Sequence, residues 1–244
     1  MMNLIAKGNT AEVFDYAKGL VCKLFYLGYP VESVKKEFQN AKLLYDLKLP
    51  VPKCYEQVYI NNRHGLVYEK LEGTDLLNNL KGTDLIKHLM DQNKYDFVLS
   101  ILANTHKEWL HHECKLLPSY KDFIRSILRD THKDLLSNLD DLPDGNALCH
   151  GDFHPANIMI DKDGKVKVID FMNLCRGPRE YDIARTFYLV GYSKPPREMK
   201  ENETFLKTRE RLAKDYLEEM GVDIQDIKPY IFLIEKCHMI ETSR

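Results

Sequence analysis

The chain of 244 residues balances 35 Lys+Arg against 37 Asp+Glu for a formal charge of -2, and 44% of it is hydrophobic. That is enough apolar material for one large domain or two small lobes with a sizeable core, and it excludes a disordered chain. The near-neutral balance gives no global electrostatic reason to bind nucleic acid or an anionic membrane, so neither partner is expected.

The first segment reads as short strands followed by one helix. IAKGNTAEVFDY and GLVCKLFY are β-rich runs separated by a polar turn at Ala17 to Gly19. The opening MMNLIAKGNTAEVF meets a charge after few apolar residues and resembles neither a signal peptide nor a membrane span, which points to the cytoplasm. After Gly28-Tyr29-Pro30, Val34, Phe38, Ala41 and Leu44 recur at helical spacing until Pro50 and Pro52 stop them. KCYEQVYINNRHGLVYEKLEG then predicts a hairpin turning at Asn61 to Gly65, with its second strand running toward Gly73.

Beyond Gly73 helical patterns dominate. One or two short helices are predicted over TDLLNNLKGTDLIKHLMDQ, and a longer one with Phe97, Ile101, Leu102 and Trp109 or Leu110 as its apolar stripe. Another is predicted from Tyr120 to Leu139, burying Phe123, Ile127, Leu128 and Leu135. The tail offers a charged amphipathic helix near Thr204 to Met220 and an apolar helix around IKPYIFLIEKCHMI. The boundary between the two regions falls near Leu71 to Asp75, giving units of 1–72 and 73–244. Six scattered cysteines without a CxxC are expected to be reduced thiols.

The one strongly strand-like stretch of the second half is His150 to Phe171, HGDFHPANIMIDKDGKVKVIDF. Ala156 to Ile160 and Lys165 to Ile169 are apolar-rich runs joined by a turn containing Asp163-Gly164, a strong hairpin signal. A calcium loop is the alternative, but Lys165 takes a ligand position and Met172 stands where the terminal Glu is required. A hairpin brings its ends together, so Asn157 and Asp170 are expected to converge as a hard oxygen site for Mg²⁺ beside phosphate oxygens. Asp152, in the loop leading in, is then placed to accept a hydroxyl proton.

These residues resemble the protein-kinase-like superfamily, and within it the aminoglycoside and choline phosphotransferase family. The protein-kinase pattern H-R-D-L-x-x-x-N is matched in length by His150-Gly151-Asp152-Phe153-His154-Pro155-Ala156-Asn157, and Ile169-Asp170-Phe171 stands where Asp-Phe-Gly does, with Met172 for the glycine. Tyr181-Asp182-Ile183-Ala184-Arg185 is similar to the family's D-[LI]-A segment, in which Asp182 would brace the catalytic loop. Leu102 to His106 resembles the L-A-x-L-H segment, giving His106 a structural role.

The resemblance implies an α+β, protein-kinase-like bilobal fold: a small N-terminal β-sheet lobe with one main helix, and a larger, mostly helical C-terminal lobe. It implies a small-molecule kinase that moves the γ-phosphoryl of ATP or GTP, with Mg²⁺, to a hydroxyl of a small acceptor. Ile5 to Val13 is similar to the glycine-rich phosphate loop, with Gly8 retained and Ala6 and Ala11 at its outer glycine positions. Lys23 would reach the phosphates, partnered by Glu37, or by Glu32 in another helix register. LVYEKLEG resembles the hinge that reads the adenine edge through the Glu69 carbonyl and Leu71 N–H. A Ser/Thr protein kinase is the first rival, weakened by the short Phe171 to Tyr181 segment and the lack of Ala-Pro-Glu; a non-catalytic nucleotide binder is the second.

Overall fold

The computed structural model describes residues 2–77, 80, 82–128 and 133–242. Its elements begin with β1 (Leu4–Lys7), β2 (Ala11–Ala17), β3 (Leu20–Phe25), α1 (Val31–Asp46), β4 (Cys54–Ile60), β5 (Arg63–Glu69) and β6 (Gly73–Asp75). There follow α2 (Gly82–Met90), α3 (Gln92–Leu110), α4 (Tyr120–Leu128), α5 (Lys133–Asp140), β7 (Ala147–Cys149), β8 (Ile158–Asp161) and β9 (Val166–Val168). The chain closes with β10 (Cys175–Gly177), α6 (Arg179–Gly191), α7 (Glu203–Met220) and α8 (Ile224–Thr242). It divides into two compact units, Met1–Asp75 with Ile158–Met172, and Leu76–Asn157 with Asn173–Arg244. Residues 158–172, which chain order alone puts in the second region, therefore pack with the first.

In the first unit an antiparallel sheet runs β1-β2-β3-β5-β4. Leu66, Val67 and Tyr68 of β5 are all buried because β5 is a central strand and α1 packs on the sheet. On α1, Val34, Ala41 and Leu44 are buried at helical spacing, and Glu37 occupies the same face at 1% exposure. A carboxylate there must have a partner. The β4–β5 turn is tighter than expected: Asn61 and Asn62 both take positive φ (50° and 61°), and β5 begins at Arg63. Two asparagines tolerate that left-handed pair, which suits the twist of a hairpin.

A second sheet, β6-β8-β9, completes this unit. The hairpin register sets Ile158 opposite Val168 and Ile160 opposite Val166. Asp161 orders its turn by accepting the N–H groups of Asp163 and Lys165. Asn157 lies in a 3₁₀ turn (Pro155–Asn157) just ahead of β8 rather than inside the strand. Gly73 has a role beyond a simple bend: it faces Asp161, and a Cβ there would stand 2.0 Å from the Ile160 carbonyl oxygen.

The second unit is mainly helical, with α6 packed against α7 and α8, and β7 paired antiparallel to β10. The apolar stripe of α3 is rotated from the expected one. Tyr95, Val98, Leu102, His106 and Trp109 are buried, while Phe97 is 50% exposed, because α3 packs against both α2 and α7 and widens the covered arc. The segment predicted as one helix from Tyr120 to Leu139 is described as α4 and α5; its residues 129–132, like residues 78, 79 and 81 of the earlier helical prediction, lie outside the described residues. On α4, Ile124 is buried and Phe123 only partly so.

Candidate active site

In the first unit, three charged side chains from distant parts of the sequence form one cluster. Lys23 points from β3, its Nζ 2.7 Å from Glu37 Oε1 and 3.1 Å from Asp170 Oδ1. Burial alone would lower the lysine's pKa; the two carboxylates outweigh that and hold it above its ordinary value, so the ammonium is charged. Burial likewise pushes the Glu37 carboxyl up, against the pull of Lys23 and Tyr68. Glu32 is elsewhere, exposed and paired to Lys35.

Asp170 has φ +70°, an unusual conformation for a residue with a side chain. Phe171, next to it, is buried, and its carbonyl accepts the Asn40 side-chain N–H at 2.7 Å. Asn40 lies three residues after Glu37, so the same face of α1 holds both the lysine and the backbone after Asp170. The sequence reading missed Asn40. Its signal was a polar residue on the stripe set by Val34, Ala41 and Leu44.

The phosphate-loop candidate lies between β1 and β2. Gly8 N–H donates to the Ala11 carbonyl, and the Tyr26 hydroxyl donates to the Gly8 carbonyl at 2.9 Å. At the end of β5, Lys70 N–H bonds the Gly19 carbonyl. The Glu69 side chain is taken up by Lys167, both oxygens at 2.9 Å, and by Lys53 N–H. Glu69 is thus clamped by its side chain, and Leu71 lies beyond the last pair of the strand.

In the second unit the loop after β7 is built on Asp182, which is fully buried. Its carboxylate accepts the N–H groups of His150 (2.7 Å) and Gly151 (2.8 Å) and faces His106 Nε2 at 3.1 Å. Burial would raise this carboxyl; the His106 hydrogen bond, the fields of His106 and His150, and Gly151 N–H together hold it below the usual range. A carboxylate only accepts, so His106 donates through Nε2, and its Nδ1 is hydrogen-bonded to the Tyr216 hydroxyl at 2.6 Å. The His106 ring stacks on Phe153 at 4.1 Å. Gly151 sits at φ +75°, its carbonyl accepting Arg185 Nε.

Asp152 follows in this fixed loop, partly exposed, its N–H donated to His150 Nδ1 at 3.2 Å. Burial acts to raise its carboxyl, but the hydrogen bond and field of His154, with Arg185 and His150, hold it well below the ordinary value. Asn157 Nδ2 donates to the Asp152 carbonyl (2.9 Å) and approaches its Oδ2 (3.3 Å), bringing Asn157 and Asp152 together. His150 is buried and acts as scaffold. Arg176 and Trp109 are structural too: Arg176 donates to the carbonyls of Leu117 and Gly145, and Trp109 is a core side chain.

The family described as the phosphotransferase enzyme family matches residues 3–216. The chain belongs to this family. It is a phosphotransferase, and its fold is that of known aminoglycoside kinases. It is similar to an aminoglycoside-3'-phosphotransferase of type VIII (18% identity, 97% of this chain and 93% of that one, TM-score 0.63). Another similar structure is the aminoglycoside phosphotransferase APH(3'')-Id from Streptomyces rimosus (15% identity, 97% and 92%, TM-score 0.58). A third is a thermostable mutant of APH(4)-Ia in ternary complex with ADP and hygromycin B (15% identity, 100% and 94%, TM-score 0.54). The small sheet-and-helix unit and the larger helical unit are those of this phosphotransferase fold, as the sequence led one to expect.

Phosphotransferases of this kind work with ATP and Mg²⁺, an ion that takes hard oxygen donors, and each unit by itself presents one. The amide nitrogen of Asn157 is engaged by Asp152 and His154, which leaves its amide oxygen as a hard acceptor; Asp170 offers a carboxylate with a 38% exposed side chain. Among the described residues, no three His, Cys, Asp or Glu side chains are grouped to hold a metal. Mg²⁺ needs no such cage, since it takes most of its ligands from water and phosphate. No described helix is long and apolar enough to cross a membrane.

Proposed function

We propose that this phosphotransferase moves the γ-phosphoryl group of ATP or GTP to a hydroxyl of a small molecule, in the manner of the aminoglycoside and choline phosphotransferases. The observation that carries the reading is the Lys23 ammonium held between the Glu37 and Asp170 carboxylates. A cation fixed by a buried helix carboxylate is what a triphosphate requires.

Lys23 binds the α- and β-phosphates, Gly8 lies in the loop over them, and the Glu69 carbonyl and Leu71 N–H read the base. Asn157 and Asp170 hold Mg²⁺, which when bound neutralises phosphate charge. Asp152 orients the acceptor hydroxyl in line with the γ-phosphorus. Its depressed pKa keeps it ionised at neutral pH, so it aligns the hydroxyl and receives its proton late, as a loose transition state allows. Most of the rate then comes from placement and charge stabilisation. The aminoglycosides in the names of the similar structures support a polyhydroxylated or aminated small acceptor.

The direct test substitutes one residue from each unit. Asp152→Ala is expected to abolish turnover with Mg·nucleotide binding retained, and Asp170→Ala to weaken that binding. Full turnover by Asp152→Ala would refute the role of Asp152.

A further inference from the structure

Glu37 holds Lys23 through one oxygen, and that oxygen has a second donor. The Tyr68 hydroxyl, from β5, lies 3.1 Å from Glu37 Oε1, the atom that receives Lys23 Nζ at 2.7 Å. The other oxygen, Oε2, is buried with no hydrogen-bond partner. Tyr68 is 7% exposed and Glu37 1%, so bulk water has no ready access to replace either donor. Tyr68 also directly precedes Glu69, at the end of the strand where the base is expected to be read.

We propose that Tyr68 is a positioning residue for phosphoryl transfer, fixing the Glu37 carboxylate of α1 so that the Lys23 ammonium stays paired to it. The inference rests on Lys23 being the phosphate-binding cation. Its physical basis is the lopsided loading of Glu37. A buried carboxylate with two donors on one oxygen, one from β3 and one from β5, keeps its orientation; with the Lys23 ammonium as its one donor it is undersatisfied and free to pivot about that contact. The second anionic partner of Lys23 is Asp170 at 3.1 Å. Loosening Glu37 therefore shifts the ammonium toward Asp170 and away from the place it takes against the phosphates. Charge that builds on the phosphoryl group in the transition state feels this more than ground-state nucleotide binding does.

The experiment is a double-mutant cycle on Mg·ATP hydrolysis, with water as the phosphoryl acceptor. Tyr68→Phe, Glu37→Ala and the double variant are compared with the parent, and thermal melts confirm that each is folded. Tyr68→Phe is expected to lower kcat about 10-fold, the size of one hydrogen bond to a charged group, with KM for Mg·ATP changed less than about 3-fold. In the Glu37→Ala background the same change is expected to have no effect on kcat. An unchanged kcat for Tyr68→Phe, or an equal loss in both backgrounds, would overturn the proposal. Lys23→Ala separates the two levels. If it hydrolyses Mg·ATP like the parent, the reading of the site fails; if it is impaired while Tyr68→Phe is not, only the role of Tyr68 fails.

Discussion

Asp182 and Gly151 meet at 2.8 Å, the carboxylate accepting the glycine N–H at the centre of the His150 to Asp152 turn. Asp182 accepts His150 N–H as well and faces His106, so one fully buried charge holds the backbone on which Asp152 is mounted. Removing it leaves two buried N–H groups and an imidazole without their acceptor. Asp182→Ala is expected to destabilise the fold by about 3–5 kcal/mol, read from urea midpoints, and to lower turnover.

The same carboxylate sets an acid limit on stability. Its pKa is lowered in the fold, so below the unfolded value of about 4 the unfolded chain takes up a proton here that the folded chain resists. The stabilisation is complete above that value and falls away as pH drops through the folded pKa. Asp182→Asn should therefore lie furthest below the parent near neutral pH, with the gap narrowing below about pH 4. A gap of constant size across that range would assign the carboxyl no such shift.

Gly151 is the backbone counterpart of this anchor. It stands at φ +75°, and a Cβ would come within 2.5 Å of the Asn173 carbonyl oxygen. Gly151→Ala combines left-handed strain with a clash against backbone, an expected cost of about 2 kcal/mol or more. Turnover should fall with it, because Asp152 is the next residue. Thermal melts and kcat measured on one preparation check both.

Asn40 makes a different kind of contribution. Its side-chain N–H to the Phe171 carbonyl fixes the chain just after Asp170, whose φ is +70°. Asn40→Leu keeps the volume and removes the donor, leaving a buried carbonyl unpaired at a cost of about 1–3 kcal/mol. It is also expected to weaken Mg·nucleotide affinity, by calorimetric titration, without abolishing it. Unchanged affinity would show that the Asp170 backbone keeps its shape unaided.

The sequence made the large features legible for identifiable reasons. Asp163-Gly164 marks the hairpin, and the spacing of Val34, Ala41 and Leu44 marks α1 and the face that Glu37 shares. Motif order singled out Lys23 and Asp170, whose contact spans a sequence separation of 147 residues. What stayed hidden are partnerships that leave no local pattern. Tyr216 reads as an apolar position of α7, yet its hydroxyl holds His106; Asn40 and Tyr68 read as ordinary helix and strand residues. The exposure of Phe97 was hidden for the same reason, since which arc of α3 is covered depends on α2 and α7 and not on α3 alone.

The most direct test of the central claim supplies the purified protein with Mg²⁺ and nucleotide labelled at the γ-phosphate. Pooled small hydroxyl compounds, aminoglycosides and choline among them, are offered beside a mixture of proteins. Label is expected in a small molecule, and Asp152→Ala is expected to lose it. Label confined to protein, or equal labelling of a small molecule by parent and Asp152→Ala, would contradict the account.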